Sequence, residues 1–347
     1  MARRTHRELE PATALWARYD PRRAPLRFRA ASRVEWQRRT RAELERAIGF
    51  QDGPRAPISA ERLQRVDCGD YVRDKWLLRT APQVQMPVYL LVPKARGERP
   101  RTVIALHGHG YGAKDVVGLW EDGSERLAPD GYHADFGVAL CRAGFAVAAP
   151  EISCFGERQT DFSGLDAAMG QAAPTTCAHT AMLALHGGAT VLGMRVRDGR
   201  RLIDWLRTRP ELDARRLGVM GISGGGMNAF FLACVDRRVR ACVISGYFCT
   251  FRDSILAMAH CPCNFVPGLW RFGEMHDLAG LVAPRPMLVE AGHRDPIFPI
   301  AAVRASVRRA RAVYRAFGDD TALGTDYFHG RHRISGAKAY TWLASVL

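Results

Sequence analysis

Ser223 lies in Leu217-Gly218-Val219-Met220-Gly221-Ile222-Ser223-Gly224-Gly225-Gly226, where a G-x-S-x-G pattern closes an apolar run and opens a helix-like one. A serine hydroxyl is a poor nucleophile until an imidazole takes its proton and a carboxylate fixes the tautomer of that imidazole. The flanking glycines have a steric purpose: a sharp strand-to-helix turn brings two backbones too close for Cβ atoms. Such a turn sets the hydroxyl beside a helix N-terminus. There the Gly224 backbone N–H can donate to an oxyanion forming on a substrate carbonyl. Taken alone, the pattern also fits a structural turn with an N-capping serine, so chemistry requires partners.

The histidines after Ser223 are 260, 276, 293, 329 and 332. Behind a serine of this kind, the acid and then the base come from loops after later strands. Asp295, in AGHRDPIFP, follows the strand-like PMLVEAG and has both the position and the order for the acid. Asp253, Asp277 and Asp326 are rivals that do not combine the two. For the base, His332 is preferred over His329, because the Gly330 turn carries it off the last strand and into the loop. Leu106-His107-Gly108-His109-Gly110 ends another apolar run and supplies the second oxyanion donor. The His109 N–H is favoured there, with Gly110 as the alternative, and His107 is read as a packed residue holding the loop.

Those loops need strands to hang from. TVIALHG (102–108), FAVAAPE (145–151), LGVMG (217–221), ACVISG (241–246) and PMLVEAG (286–292) are apolar without period-two polarity, as in strands covered on both faces. YVRDKWLLR and MPVYLLVP, within 66–93, read as neighbouring strands near a sheet edge, and a final strand is placed at 323–328. Helical patterns fall at about 134–143, 181–208, 224–235, 300–316 and 336–346, the second interrupted by Gly187, Gly188, Gly193 and Gly199. This alternation predicts an α/β fold: a mostly parallel, doubly wound sheet with flanking helices. Residues 1–58 are expected to form an arginine-rich, partly helical extension, with a charged helix near 33–48. Residues 59–347 are expected to form one catalytic domain, with a cap-like insertion at about 247–280. The aromatics Phe248, Phe251, Phe265, Trp270 and Phe272 of that insertion either line a pocket or form its local core.

The chain has 347 residues and a formal charge of +15, carried by 46 arginines and only four lysines. Thirteen arginines against six acidic residues in the first fifty leave +7 there, so a nucleic acid or anionic surface would meet this arm. A solvated extension is the preferred reading, because no zinc-finger spacing, RNP motif or unbroken basic block accompanies it. No signal-peptide pattern follows the first arginines and no run reaches membrane-span length. Together with nine unpaired-looking cysteines, this gives a cytoplasmic expectation. His260-Cys261-Pro262-Cys263 is the one metal-like cluster. Lacking a distant Cys or His pair at structural-zinc spacing, it is read as shaping a loop or pocket. No metal and no cofactor are expected.

With these residues in view, the chain resembles the α/β hydrolases of the dienelactone-hydrolase and acetyl-xylan-esterase type. The resemblance is carried by LHGHGYGAKDVVG (106–118), CFGER (154–158), LGVMGISGGGMNAFFLACVDRRVRACVISGYF (217–248), HCPCNFVPGL (260–269), APRPMLVEAGHRDPIFP (283–299) and FHGRHRISGAKAYTWL (328–343). It implies the α/β-hydrolase fold over roughly 60–347, with Ser223 as nucleophile, Asp295 as acid, His332 as base, and an oxyanion hole formed by the HGHG region (107–110) and the backbone after Ser223. Some relatives use a cysteine nucleophile, whereas this chain has serine. Relatives often place an aspartate where Glu151 stands, and a structural Glu151–Arg158 ion pair is expected beneath the site. The implied activity is hydrolysis of a small carboxylic ester, such as an acetyl ester of a sugar, through an acyl-serine. Acyl transfer and lactone hydrolysis share that chemistry, and a non-catalytic basic binding protein is the competing class. A homo-oligomer is compatible with the sequence.

Overall fold

The computed structural model describes residues 11–49, 57–94, 99–161 and 176–347. The first ten residues of the expected extension, and its 50–56 stretch, therefore lie outside the described residues. Nine strands form one sheet: β1 (Ala60–Asp67), β2 (Tyr71–Ala81), β3 (Val84–Pro93), β4 (Arg101–Leu106), β5 (Ala146–Pro150), β6 (Asp213–Ile222), β7 (Ala241–Ser245), β8 (Met287–Gly292) and β9 (Leu323–Phe328). Their order is β1-β2-β3-β5-β4-β6-β7-β8-β9. The β1–β2, β2–β3 and β3–β5 pairings are antiparallel, and every pairing from β5–β4 to β8–β9 is parallel.

The helices are α1 (Pro11–Arg18), α2 (Arg33–Ala47), α3 (Phe136–Arg142), α4 (Thr176–His186), α5 (Val191–Leu206), α6 (Gly224–Val235), α7 (Met275–Leu278), α8 (Ile300–Ala316) and α9 (Ala339–Val346). Alternate residues of each central strand enter two separate cores, which explains the absence of polar alternation. Ile104, Leu217, Val219 and Ile244 join Leu202, Phe230 and Val307 of α5, α6 and α8 on one face. Val103, Met220 and Val243 join Phe136 of α3 and Leu343 of α9 on the other. Doubly wound sheet and flanking helices thus match the sequence-based expectation. The 181–208 pattern is two helices, α4 and α5, broken at Gly187-Gly188, with the Thr190 side chain capping α5.

Residues 24–48 are continuous with the core. Leu26, Trp36, Leu44 and Ile48 are buried in the same cluster as the central helices. Among the described residues, no helix is long and apolar enough to cross a membrane. Strand order reverses around β4, which has β5 on one side and β6 on the other. In open α/β sheets, ligands bind outside the carboxyl ends of strands at such a reversal.

Candidate active site

Ser223 occupies the single residue between β6 and α6, with φ 56° and ψ −122°. A non-glycine residue at positive φ is strained and persists only where its surroundings over-determine it. Here the Ser223 N–H donates to Ser245 O at 3.0 Å, and its carbonyl accepts from Met227 N at 2.9 Å in the first turn of α6. Glycine is required at 225, because a Cβ there would lie 2.0 Å from the Leu106 carbonyl oxygen at the end of β4.

Asp295 follows β8, and its Oδ1 accepts from the backbone N–H groups of Ile297 at 2.8 Å and Phe298 at 3.1 Å. Its other oxygen, Oδ2, lies 2.7 Å from His332 Nδ1. Gly246 faces this pair at φ 49°, and a Cβ there would come within 2.9 Å of the His332 ring. The imidazole lies against Tyr132 and Phe298, with ring centroids 5.6 and 5.8 Å away. His332 Nε2 is buried without a hydrogen-bond partner. His329 is elsewhere, stacked on His293 at 5.1 Å.

Ser223 and His332 both border a cavity of ≈ 360 Å³ lined also by His109, Tyr247, Met258, His260, Ile297 and Phe298. No hydrogen bond joins Ser223 Oγ to His332 Nε2. Such contacts commonly tighten only when substrate binds.

The loop after β4 is held by a second histidine–carboxylate pair. His133 Nδ1 is 2.7 Å from Asp115 Oδ2, and its Nε2 accepts the Gly108 N–H at 2.8 Å. Because Nε2 is an acceptor, the ring is neutral, and burial lowers its pKa from the usual histidine range against the pull of Asp115. Gly108 N–H is therefore committed. Among the described residues, the N–H groups of His109, Gly110 and Gly224 carry no hydrogen bond. Tyr132 completes the loop by donating its hydroxyl to the His109 carbonyl. His107 is buried, with Nδ1 2.8 Å from Gly108 O and Nε2 2.9 Å from the Ile152 N.

Tyr132, His133 and Asp115 were not among the sequence candidates. They lie in a glycine- and aspartate-rich stretch with no periodicity, and only their convergence on Gly108 reveals a role. Glu290 was missed for a different reason. It sits inside the apolar run of β8, yet its carboxylate accepts from Ser245 Oγ at 2.8 Å, Ser335 N at 2.7 Å and Gly336 N at 3.0 Å. It thereby ties the His332 loop to β7, and burial raises its pKa.

One expectation needs correction. Arg158 pairs with Asp198 at 2.8 Å and touches Glu151 only through the backbone carbonyl, at 3.1 Å. The Glu151 carboxylate turns inward instead, accepting from Ala113 N at 3.0 Å. Both alternatives for the insertion aromatics are met: Phe248, Phe251 and Phe272 are buried in the core, while Phe251, Phe265 and Trp270 border an apolar hollow with Tyr19 and Leu269, separate from the Ser223 cavity.

One wall of the site carries a metal-capable group. The ligand atoms of His109, Cys177, Cys261 and Cys263 all lie within 4.8 Å of one another. Burial opposes charge on His109, but its contacts with Cys261 and Cys263 outweigh that and push its pKa up to about 9.

Comparison with known proteins agrees with this fold. Over 288 residues, 80% of this chain and 88% of the other, the sequence is 25% identical to a Bacillus subtilis (strain 168) protein named "Putative hydrolase YtaP". A Bacteroides fragilis structure described as a "putative acetyl xylan esterase" superposes with a TM-score of 0.75 at 16% identity, over 92% of this chain and 82% of that one. The glucuronoyl esterase from Solibacter usitatus superposes with a TM-score of 0.64 at 16% identity, over 90% and 92%. The model of the Abhydrolase family matches residues 25–312, and the chain belongs to that family of α/β hydrolases.

Proposed function

We propose that the protein hydrolyses small carboxylic esters through an acyl-serine intermediate, with Ser223 as nucleophile, His332 as base and Asp295 as its orienting acid. The observation that carries this reading is the strained Ser223 opening onto the same cavity as His332, whose far nitrogen is 2.7 Å from Asp295.

Each residue then has a defined task. Asp295 accepts the Nδ1 proton, which leaves the Nε2 lone pair free to take the Ser223 proton as Oγ attacks the ester carbonyl. The developing oxyanion meets the N–H groups of Gly224 and His109, preset dipoles that need no reorganisation. His332 returns its proton to the departing alcohol, and the acyl group stays on Ser223. Water activated by the same nitrogen then releases the acid. Every step uses groups of this chain.

The cavity volume of ≈ 360 Å³ suits a small ester. The esters named for the structural relatives, acetyl xylan and glucuronoyl, support a carbohydrate ester as the first class to test. Purified protein should be assayed on p-nitrophenyl esters of increasing acyl length, then on acetylated sugars, glucuronoyl esters and lactones. Turnover highest for the shortest acyl chains is expected. A folded protein that hydrolyses none of these esters would contradict the proposal.

A further inference from the structure

Three stretches remote in sequence meet beside the site. His109 comes from the loop after β4, Cys177 from the first turn of α4, and Cys261 and Cys263 from a short turn in the insertion. Cys261 Sγ is 2.9 Å from Cys177 Sγ and 3.3 Å from Cys263 Sγ, and Cys263 Sγ is 4.0 Å from His109 Nε2. The partners are 84 and 154 residues apart in the chain, which is why spacing alone gave Cys261 and Cys263 no companions.

Neutral thiols gain little from such crowding, since S–H is a weak donor and sulfur a weak acceptor. Thiolates would repel one another unless a cation stood among them. A tetrahedral zinc ion with bonds of about 2.3 Å to sulfur and about 2.0 Å to nitrogen spaces its ligand atoms about 3.5–3.8 Å apart, which the four atoms here bracket.

The surroundings are also those of a ligand set. Pro262 opens the turn that holds both insertion thiols, and Asn264 Nδ2 donates to Cys261 O at 3.1 Å and reaches Cys263 Sγ at 3.8 Å. Buried Arg195 points Nη2 at Cys177 Sγ from 3.6 Å, and its Nε and Nη1 have no hydrogen-bond partner. Three thiolates, a divalent cation and one guanidinium sum to zero charge, so the assembly can be buried without a net ionic penalty.

We propose that His109, Cys177, Cys261 and Cys263 bind one zinc-class divalent cation. All four positions of a tetrahedral ion are filled by protein, so the ion is structural and has no open site for water or substrate. Binding replaces the S–H bonds with metal–sulfur bonds, and every proton held by the four ligand atoms, including the one that makes the His109 ring cationic, is released to solvent. Its consequence is mechanical: it staples the insertion and α4 to the loop after β4, where His109 borders the Ser223 cavity. This site is independent of the ester-hydrolase reading, and its test does not use activity.

The full chain, without a metal-binding tag, should be purified anaerobically from zinc-supplemented culture and its zinc content measured by mass spectrometry. One zinc per chain is expected. Chelator-stripped, reduced protein should then be titrated with Co²⁺. The expected spectrum has thiolate-to-cobalt charge transfer and the intense visible bands of tetrahedral cobalt, and Zn²⁺ should abolish it. Cys177→Ser and Cys261→Ser should lose that spectrum, whereas Cys68→Ser, far from the cluster, should keep it. Because the wild-type titration decides by itself, a variant that fails to fold does not leave the question open. Folded wild-type protein that holds no zinc and gives no cobalt spectrum would overturn the proposal. So would peptide mapping that finds Cys177 and Cys261 joined as a disulfide in the same anaerobic preparation.

Discussion

His332 Nε2 is buried and unpartnered, an arrangement that costs about 1–3 kcal/mol in a folded protein unless something outside the chain repays it. Ser223 adds strain of similar size through its positive φ, about 1–3 kcal/mol. Both penalties fall on residues bordering one cavity, and in the proposed reaction both are relieved or used when substrate arrives. Ser223, Asp295 and His332 were legible in the sequence because motif, chain order and strand ends constrain them together. Tyr132 was not, since nothing marks an aromatic residue in a polar loop as the one that stacks on His332. The choice between the two late histidines is open to a direct comparison. His332→Ala should lower kcat by about 10²–10⁴-fold, the range for loss of a general base, with His329→Ala close to the parent. Circular dichroism should first establish that both are folded. A folded, inactive His329→Ala beside an active His332→Ala would reverse the assignment.

The parallel strands could be read ahead of the structure because both faces are buried, so their apolar runs are unbroken. β1 escaped notice for the opposite reason: AERLQRVD is an edge strand with mostly exposed, charged side chains. The loop after β4 shows what elements add beyond their own residues. Its Gly108 is fixed by the neutral His133–Asp115 pair, and protonating His133 at Nε2 would remove the acceptor from Gly108 N–H. The folded-state pKa of His133 lies below its unfolded value near 6.5, so the unfolded chain binds the extra proton first as pH falls. Stability from this group is therefore fully present above about pH 6.5 and is lost as pH falls toward the lowered folded value. His276, pushed down to about 4 by burial with Arg309 adding to it, acts with the same sign. These histidines lower the thermal midpoint between about pH 7 and pH 5, against the opposite pull of buried carboxylates such as Glu290 and Asp135, the latter pushed up to about 6 by burial. Relative to the parent, His133→Gln, which cannot titrate there, should lose less or gain more in midpoint on going from about pH 7 to pH 5. An unchanged slope would remove His133 as a source of the acid sensitivity.

At the level of the whole molecule, the arginine-rich beginning of the chain is partly architectural. Arg41 donates to the carbonyls of Cys234 and Leu281, each at 2.9 Å, and Gln37 Nε2 reaches the Gly280 and Ala283 carbonyls at 2.6 Å. Trp36 packs over Gly280 and on Phe28, and its indole N–H donates to Leu26 O at 3.0 Å. The charge count suggested a solvated arm because arginines outnumber the few apolar residues that dock it. Trp36, Leu44 and Ile48 decide its placement nonetheless. Trp36→Ala should destabilise the protein by about 3–5 kcal/mol, read as a lower denaturant midpoint at unchanged slope. A loss below about 1 kcal/mol, within the range of ordinary surface substitutions, would mean the segment is dispensable to the fold. The family match beginning at residue 25 agrees with counting this segment as part of the hydrolase unit.

The nucleophile itself can be tested without knowing the substrate. Wild-type protein and Ser223→Ala, each shown to be folded, should be exposed to a fluorophosphonate probe and analysed by intact mass and peptide mapping. A single adduct on Ser223 is expected in the wild type and none in the variant. Labelling that persists in Ser223→Ala, or a folded wild type that never reacts while a control serine esterase does, would contradict it.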